Sequence, residues 1–240
     1  MTVSTMMTRH GAPRRLWLST LATVCLLTPL AGCIHGRLPA RELYRLRLPE
    51  NADSSPIQDH DGGGGLPAVS LAIAPYVAPG MYGDRSIVYR VGESEYGAYP
   101  NREWAVPLST MLGLITEDIL RRKPITGEQA VFDPPSPHSY SYIWHGLVRE
   151  LDEVDRGKDV FAAVRLDGRL LRASDDSVIW SGTARIERRV PDGSMTGIVE
   201  TLSQLAAEAV SQLLESARAA LPASAASAVR PRPAESAGTR

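Results

Sequence analysis

The chain is poor in cysteine, and this scarcity excludes two common ways of holding a small exported domain together. Among the 240 residues only Cys25 and Cys33 are cysteines. Cys25 lies in an apolar stretch, residues 16–27, that we interpret below as part of a removed export signal. The mature chain would then keep Cys33 alone, which cannot form a disulfide within one chain or build a cysteine-ligated zinc site.

Clustered basic charge and catalytic motifs are also missing. Without its first 32 residues the chain has 23 basic against 27 acidic residues, and only two of the basic ones, Lys123 and Lys158, are lysines. Nucleic-acid binding requires clustered Lys and Arg, so we expect no nucleic-acid partner. None of the patterns Gly-x-Ser-x-Gly, Ser-x-x-Lys or His-Glu-x-x-His occurs, so we expect no enzyme and no metal or other cofactor.

The first 33 residues have the organisation of a bacterial lipoprotein signal. Arg14 and Arg15 precede the apolar stretch, which suits an export signal and is short of the roughly 20 residues that span a membrane. Leu-Ala-Gly-Cys follows at 30–33 and resembles the lipobox, whose cysteine is linked to a diacylglycerol and becomes the new N-terminus. We therefore predict a signal peptide over residues 1–32 and lipidation of Cys33. The alternative is an ordinary signal peptide followed by a chance cysteine.

Composition divides the remaining chain into a tether, one domain and a tail. Residues 33–41 are irregular and are predicted to be a short tether, with a longer tether over 34–68 as the alternative. Residues 42–220 are predicted to form a single domain with a glycine-rich loop at 51–66. Residues 221–240 are mainly Ala, Ser, Pro and Arg, which bury too little apolar surface to fold, so a disordered tail is predicted.

Hydrophobic periodicity predicts the element order β-β-β-α-β-β-β-β-α. Apolar residues recur at spacings of three and four from Trp104 to Ile119 and from Ile198 to Leu213, as on one face of an amphipathic helix. Alternation predicts a first strand at 44–48 and a three-stranded antiparallel meander over residues 142–190. The fold class is therefore predicted to be α+β, a two-layer domain whose mostly antiparallel sheet is packed by two amphipathic helices.

Four side chains are candidates for contact with a partner. Arg102 and Trp104 form one candidate patch, because Arg and Trp are enriched at interface hot spots. The competing interpretation places Trp104 in the core and Arg102 in solvent. Tyr96 and Tyr99 lie in the polar segment 92–102, predicted to be a loop or an irregular edge, and loops lie at the surface.

Two groups of polar residues resemble catalytic sites but have simpler interpretations. Glu150, Asp152 and Glu153 are close in sequence, but neighbouring strand residues face opposite ways, so only Glu150 and Asp152 share a face. We interpret these carboxylates as a solvated strand face. His138 is flanked by prolines in a predicted loop, and His145 lies on a strand face beside apolar residues.

The order of these elements, with certain residues in place, resembles the auxiliary lipoproteins of ABC-type transport systems, the family of the paraquat-inducible lipoprotein C. The lipobox is followed by Tyr-Arg-Leu at 44–46, Leu-Ala-Ile-Ala-Pro at 71–75, Arg-Ser-Ile-Val-Tyr-Arg at 85–90, Arg-Glu-Trp-Ala-Val-Pro-Leu at 102–108 and Trp-Ser-Gly at 180–182. Together these pieces extend over nearly the whole predicted domain. The glycine-rich insertion and the tail depart from the usual pattern.

The resemblance implies a non-enzymatic component of a machine that transports lipid between the inner and outer membranes. Its implied partners are an inner-membrane MCE-domain protein with its permease and ATPase, the membrane through the lipid anchor, and a phospholipid. Ile34 stands where an acidic residue would resemble an inner-membrane retention signal, so the periplasmic face of the outer membrane is favoured. The alternatives are a binding lipoprotein that regulates cell-wall synthesis or outer-membrane assembly and, third, a lipid-modifying enzyme.

Overall fold

The structure is a computed structural model that describes residues 40–49, 66–92 and 94–222. The predicted signal peptide, Cys33, most of the tether, the glycine-rich run and the tail beyond residue 222 lie outside the described residues. Within the described part, no helix is both long enough and apolar enough to cross a membrane.

Strands and helices follow one another in nearly the predicted order, with one additional strand before the first helix. The elements are β1 (Glu42–Tyr44), β2 (Leu71–Ile73), β3 (Ser86–Val91), β4 (Glu95–Trp104), α1 (Leu108–Arg122), β5 (Ala130–Phe132), β6 (Tyr142–Arg156), β7 (Asp159–Arg172), β8 (Val178–Arg189) and α2 (Met195–Arg218). Short 3₁₀ helices occupy Gly80–Tyr82 and Pro137–Ser139.

The strands form a single sheet organised around β6. Along one edge of β6, β7 pairs in antiparallel orientation and β8 continues the meander. Along the other edge, β2 pairs in parallel with the beginning of β6 and β3 pairs in parallel with its end. The sheet then extends through β5 on the β2 side and through β4 and β1 on the β3 side.

The sheet is mixed, which corrects the prediction of a mostly antiparallel sheet. The predicted meander is confirmed in β6, β7 and β8, and β3 pairs with β4 in antiparallel orientation. The pairs β1–β4, β2–β5, β2–β6 and β3–β6 are parallel. Each parallel ladder is only three or four residues long, and hydrophobic periodicity over so short a stretch carries no information on strand direction.

Both helices pack on the same face of the sheet, so the predicted α+β class and two-layer arrangement are confirmed. α1 begins after Pro107, and α2 begins after Ser194, whose Oγ accepts a hydrogen bond from the Gly197 N–H at 3.0 Å and so satisfies one free amide of the first turn. The stripe of α1 that was predicted to be apolar is buried: Leu108, Met111, Leu112, Ile115 and Ile119. The corresponding stripe of α2 joins it in one continuous core.

The segment before α1 is a strand, which corrects the predicted loop at 92–102. β4 ends at Trp104, so this residue closes a strand and does not begin the helix. β1 pairs only with the last three residues of β4, so residues 95–101 have no partner on that side within the described part of the chain. Proline and glycine are tolerated at such an edge, and the polar composition of the segment made it resemble a loop.

The first strand is shifted from its predicted position at 44–48. Pairing is confined to Glu42–Tyr44, and residues 45–49 continue without strand pairing. Leu46 is nevertheless only 2% exposed, and its N–H donates to the Met111 sulfur at 3.4 Å. This segment therefore packs against α1 although it adds nothing to the sheet.

A bulge in β6 changes which side chains face the helices. The register shifts between Val148 and Glu150, so Arg149 is an extra residue in this strand. Ile143, before the bulge, packs in a small cluster on the face away from the helices, whereas Leu151, after it, joins the main core. Ile143 and Leu151, which an unbroken strand would place on one face, therefore lie on opposite faces of the sheet.

Candidate functional site

The structure separates the four residues that were predicted to contact a partner. Trp104 is 1% exposed and belongs to the main core, so its ring is not presented at the surface. Tyr96 of β4 lies directly opposite Arg90 of β3 in the strand register. Tyr99 packs on Tyr89, with 5.2 Å between the ring centroids. Because Tyr89 and Arg90 are neighbours in β3 and face opposite ways, Tyr96 and Tyr99 lie on opposite faces of the sheet.

Arg102 and Tyr99 come together in one cluster on β4. The Arg102 Cζ lies 5.0 Å from the centroid of the Tyr99 ring, a cation–π arrangement. The Arg102 Nε donates to Oε2 of Glu42 at 3.1 Å, and the Tyr44 hydroxyl donates to the same oxygen at 2.7 Å. These bonds, that from Tyr44 above all, hold the pKa of Glu42 below its ordinary value. The short strand β1 therefore positions Arg102 over Tyr99.

Tyr99 also anchors a buried carboxylate on the helix side of the sheet. Its hydroxyl donates to Oε2 of Glu153 at 2.7 Å, and Glu153 is only 4% exposed. Burial raises the pKa of Glu153, and burial together with the Glu153 contact raises the pKa of Tyr99. The interpretation of Glu153 as a solvated residue is therefore wrong, because Tyr99 covers it.

A second buried charge network occupies the opposite face of the sheet. Arg90 is 5% exposed and Asp152 is fully buried, and the Arg90 Nε lies 3.4 Å from Oδ2 of Asp152. The Tyr82 hydroxyl donates to Oδ1 of Asp152 at 2.5 Å, and the Tyr96 ring lies over the Arg90 guanidinium, 5.8 Å from Cζ to centroid. Burial is the main reason that the pKa of Asp152 is raised. The solvated interpretation is wrong here as well.

Glu150 lies on the same face as Asp152, as predicted, and three arginines converge on it. The Arg90 Nη2 and the Arg185 Nε lie 3.9 and 3.7 Å from Oε2 of Glu150, and the Arg165 Nη1 lies 3.9 Å from Oε1. None of these distances is that of a hydrogen bond. One signal for this network was present in the sequence, because Arg90 interrupts the otherwise apolar end of β3 and is opposite in charge to the acidic residues of β6.

These arrangements provide charged and aromatic groups for recognition. Within the described ranges, no three His, Cys, Asp or Glu side chains converge closely enough to hold a metal ion. The fold and these groups define a small α+β domain with two surface features. One is an aromatic–arginine surface beside β1, and the other is the sheet face that the helices do not cover, which carries charged residues.

The sequence profile of the family described as "ABC-type transport auxiliary lipoprotein component" matches residues 44–213, which extends from the end of β1 into the last turns of α2. The chain belongs to this family, and the resemblance drawn from its sequence is confirmed.

This chain is similar to solved structures at low sequence identity, and it shares the fold of the first one described below. Protein XCC0632 from Xanthomonas campestris is 18% identical with a TM-score of 0.58, and the alignment covers 74% of this chain and 95% of that one. A lipoprotein from Caulobacter crescentus is 15% identical with a TM-score of 0.36, over 61% of this chain and 88% of that one. No curated protein sequence matches this one.

Proposed function

We propose that this protein is the membrane-anchored, non-enzymatic component of an MCE-type ABC system that transports lipid between the inner and outer membranes. The observation that carries the proposal is the family match over residues 44–213, since it includes almost the whole folded domain. In this proposal the protein acts by binding other components of the system. This role requires a surface on the domain that suits a protein partner.

The Arg102–Tyr99 cluster is the surface that best suits an MCE-domain partner. The Arg102 side chain is 35% exposed, and among the described residues its hydrogen bond to Glu42 engages only Nε. Its remaining guanidinium N–H groups are available to an acceptor on a partner. An arginine already held over an aromatic ring loses little side-chain entropy on binding, which is characteristic of interface hot spots. Tyr96 is 45% exposed and would extend recognition around the edge of β4.

The anchor in this proposal is Cys33, at the outer membrane and facing the periplasm. The lipobox at 30–33 and Ile34 after it support that location. Replacing Cys33 with Ala should release the exported protein from the membrane fraction and abolish labelling by radioactive palmitate, because lipid chains contribute about 0.8 kcal/mol for each buried CH₂. If the variant still sediments with membranes, or the native protein sediments with the inner membrane, this part of the proposal is wrong.

Photo-crosslinking in the native host tests the partner. A photoreactive amino acid replaces Arg102, and a matched control replaces Arg188, an exposed arginine on β8 that is bound by Glu208 and lies far from β4 in the strand order. We expect a crosslink to the MCE-domain protein from position 102 and none from position 188. Capture of a penicillin-binding protein or an outer-membrane assembly factor from position 102 would favour the alternative of a regulatory binding lipoprotein. Equal crosslinking from both positions would exclude this surface.

A further inference from the structure

A cleft of about 360 Å³ opens at the end of the sheet where β2, β5 and β6 meet. β2 is parallel to both β5 and β6, so the segments that follow β2 and β5 leave the sheet at the same edge. Three prolines from these segments and from the 3₁₀ helix, Pro75, Pro134 and Pro137, form the rim, and Ile143 and Leu171 form an apolar floor. Such a cleft, mostly apolar and of this size, is typical of a recognition pocket.

The four polar side chains of the cleft favour one kind of ligand. His138, His145, Asp133 and Asp176 line it, and no lysine or arginine among the described residues does. The His138 Nδ1 lies 2.9 Å from the carbonyl oxygen of Ala173. A carbonyl oxygen only accepts, so Nδ1 carries the proton and the other ring nitrogen of neutral His138 is an acceptor. The same Nδ1 is 3.8 Å from Oδ1 of Asp176.

The surroundings of His145 disfavour a positive charge on its ring. Burial is the largest influence on His145 and lowers its pKa; the Arg169 charge acts in the same direction, while Asp176 opposes it. Arg169 pairs with His145 across β6 and β7 but does not line the cleft. Neither Asp133 nor Asp176 accepts a side-chain hydrogen bond from the described residues. The cleft therefore offers two carboxylates, two imidazole rings and an apolar wall.

We propose that this cleft receives a lysine or arginine side chain of a protein partner, with the aliphatic stem against the proline rim and the cationic group between Asp133 and Asp176. Charge complementarity selects this occupant. A phospholipid headgroup carries a phosphate beside its amine, and the described residues place no lysine or arginine in the lining to receive that phosphate. A metal ion is disfavoured, since the described residues bring no suitable set of three ligands together.

The test compares small probes on the purified full-length protein in detergent micelles. The probes are Nα-acetyl-lysine amide, its uncharged counterpart Nα-acetyl-norleucine amide, and phosphoethanolamine. Binding is followed by the NMR signals of the His138 and His145 rings. We expect the lysine probe to shift both rings and to bind at least about tenfold more tightly than the norleucine probe, as is usual when a charge-assisted hydrogen bond is lost.

The variant Asp176→Asn should weaken binding of the lysine probe by about tenfold, whereas the control Asp175→Asn should leave it unchanged. Asp175 is adjacent but is bound to Arg172 and Ser177 outside the cleft. Asp176 has a φ of 54°, a conformation that Asn tolerates well, so the fold should survive. Equal binding of lysine and norleucine, equal effects of the two variants, or no shift of the histidine rings would overturn the proposal. Phosphoethanolamine binding as tightly as lysine would instead indicate a lipid headgroup.

Discussion

Arg90 of β3 and Asp152 of β6 form an ion pair inside the protein, with 3.4 Å between Nε and Oδ2. Neither the Arg90 Nε nor the Asp152 Oδ2 has a hydrogen-bond partner among the described residues. The pair lies on the sheet face that the helices do not cover. Tyr82, which contacts Asp152, and Tyr96, which lies over Arg90, shield it from water. Because both charges are removed from water, taking away either one leaves an uncompensated buried charge, which is strongly destabilising.

Replacing Arg90 with Met should destabilise the protein by about 3–5 kcal/mol, because it leaves the Asp152 carboxylate buried without its cation. For a domain of this size, such a loss lowers Tm by about 6–20 °C. The double variant Arg90→Met with Asp152→Asn should recover most of the loss, since Asn keeps an acceptor for the Tyr82 hydroxyl. Thermal unfolding of both variants checks this, and a double variant as unstable as the single one would contradict it.

The sequence could reveal the helices and the meander because each repeats its period over ten or more residues. It could not reveal the pairing of β1, β2 and β5, each of three residues, since their partners are chosen by packing of the whole chain. The bulge at Arg149 was equally hidden, and it decides which acidic residue of β6 faces which network. Glu150, Asp152 and Glu153 resemble a solvated face until the tyrosines that cover them are placed.

Of the predicted contact residues, Arg102 and Tyr99 were recognisable by residue type, but their contact depends on Glu42 of β1. A three-residue strand in an irregular segment gives no periodic signal. The burial of Trp104 was one of the two interpretations that its sequence position allowed. Its place at the end of β4, however, follows from a strand whose polar composition indicated a loop.

The variant Glu153→Gln should change how stability depends on pH. The pKa of Glu153 is raised by burial above its ordinary value of 4.5, so between those two values the folded state binds more protons than the unfolded state. Its contribution is fully present below pH 4.5 and is lost as the pH rises through the raised pKa. Relative to the native protein, the variant should therefore lose stability as the pH falls from 7 to below 4.5, measured as Tm across a pH series.

Asp192→Asn provides a control of opposite sign for the pH series. Hydrogen bonds from the Ser194 side chain and backbone lower the pKa of Asp192 below its ordinary value of 3.8. Its contribution is present above pH 3.8 and is lost as the pH falls through the lowered pKa. The difference between this variant and the native protein should shrink on acidification. The same trend in both variants would show that Glu153 is not the buried group described here.

Gly146→Ala should destabilise the core through overpacking. A Cβ at Gly146 would lie 2.1 Å from Cε1 of Tyr76, and this ring is fixed because its hydroxyl bonds to Thr116 at 2.9 Å and to the Trp144 Nε1 at 3.1 Å. We expect a loss of about 1–3 kcal/mol, measured by denaturant unfolding.

Gly113→Ala is the matched comparison for Gly146→Ala. A Cβ at Gly113 would meet the Phe132 ring at 2.1 Å, but Phe132 is only half-buried on a three-residue strand and can turn outward. Ala also favours the helix over Gly by about 1 kcal/mol. The loss should therefore be clearly smaller at Gly113 than at Gly146. Equal losses would mean that the Tyr76 ring is not held in place.

Leu46→Asp decides whether the segment after β1 is part of the domain or part of a tether. Leu46 is 2% exposed and packs against α1, so an aspartate there would bury an unpaired charge in addition to losing apolar contact. We expect a loss of about 3–5 kcal/mol and a lower Tm. Leu43→Asp, three residues earlier at 57% exposure, should cost less than about 1 kcal/mol. If both variants melt like the native protein, residues 45–49 do not belong to the fold, and the longer tether over residues 34–68 replaces the short one.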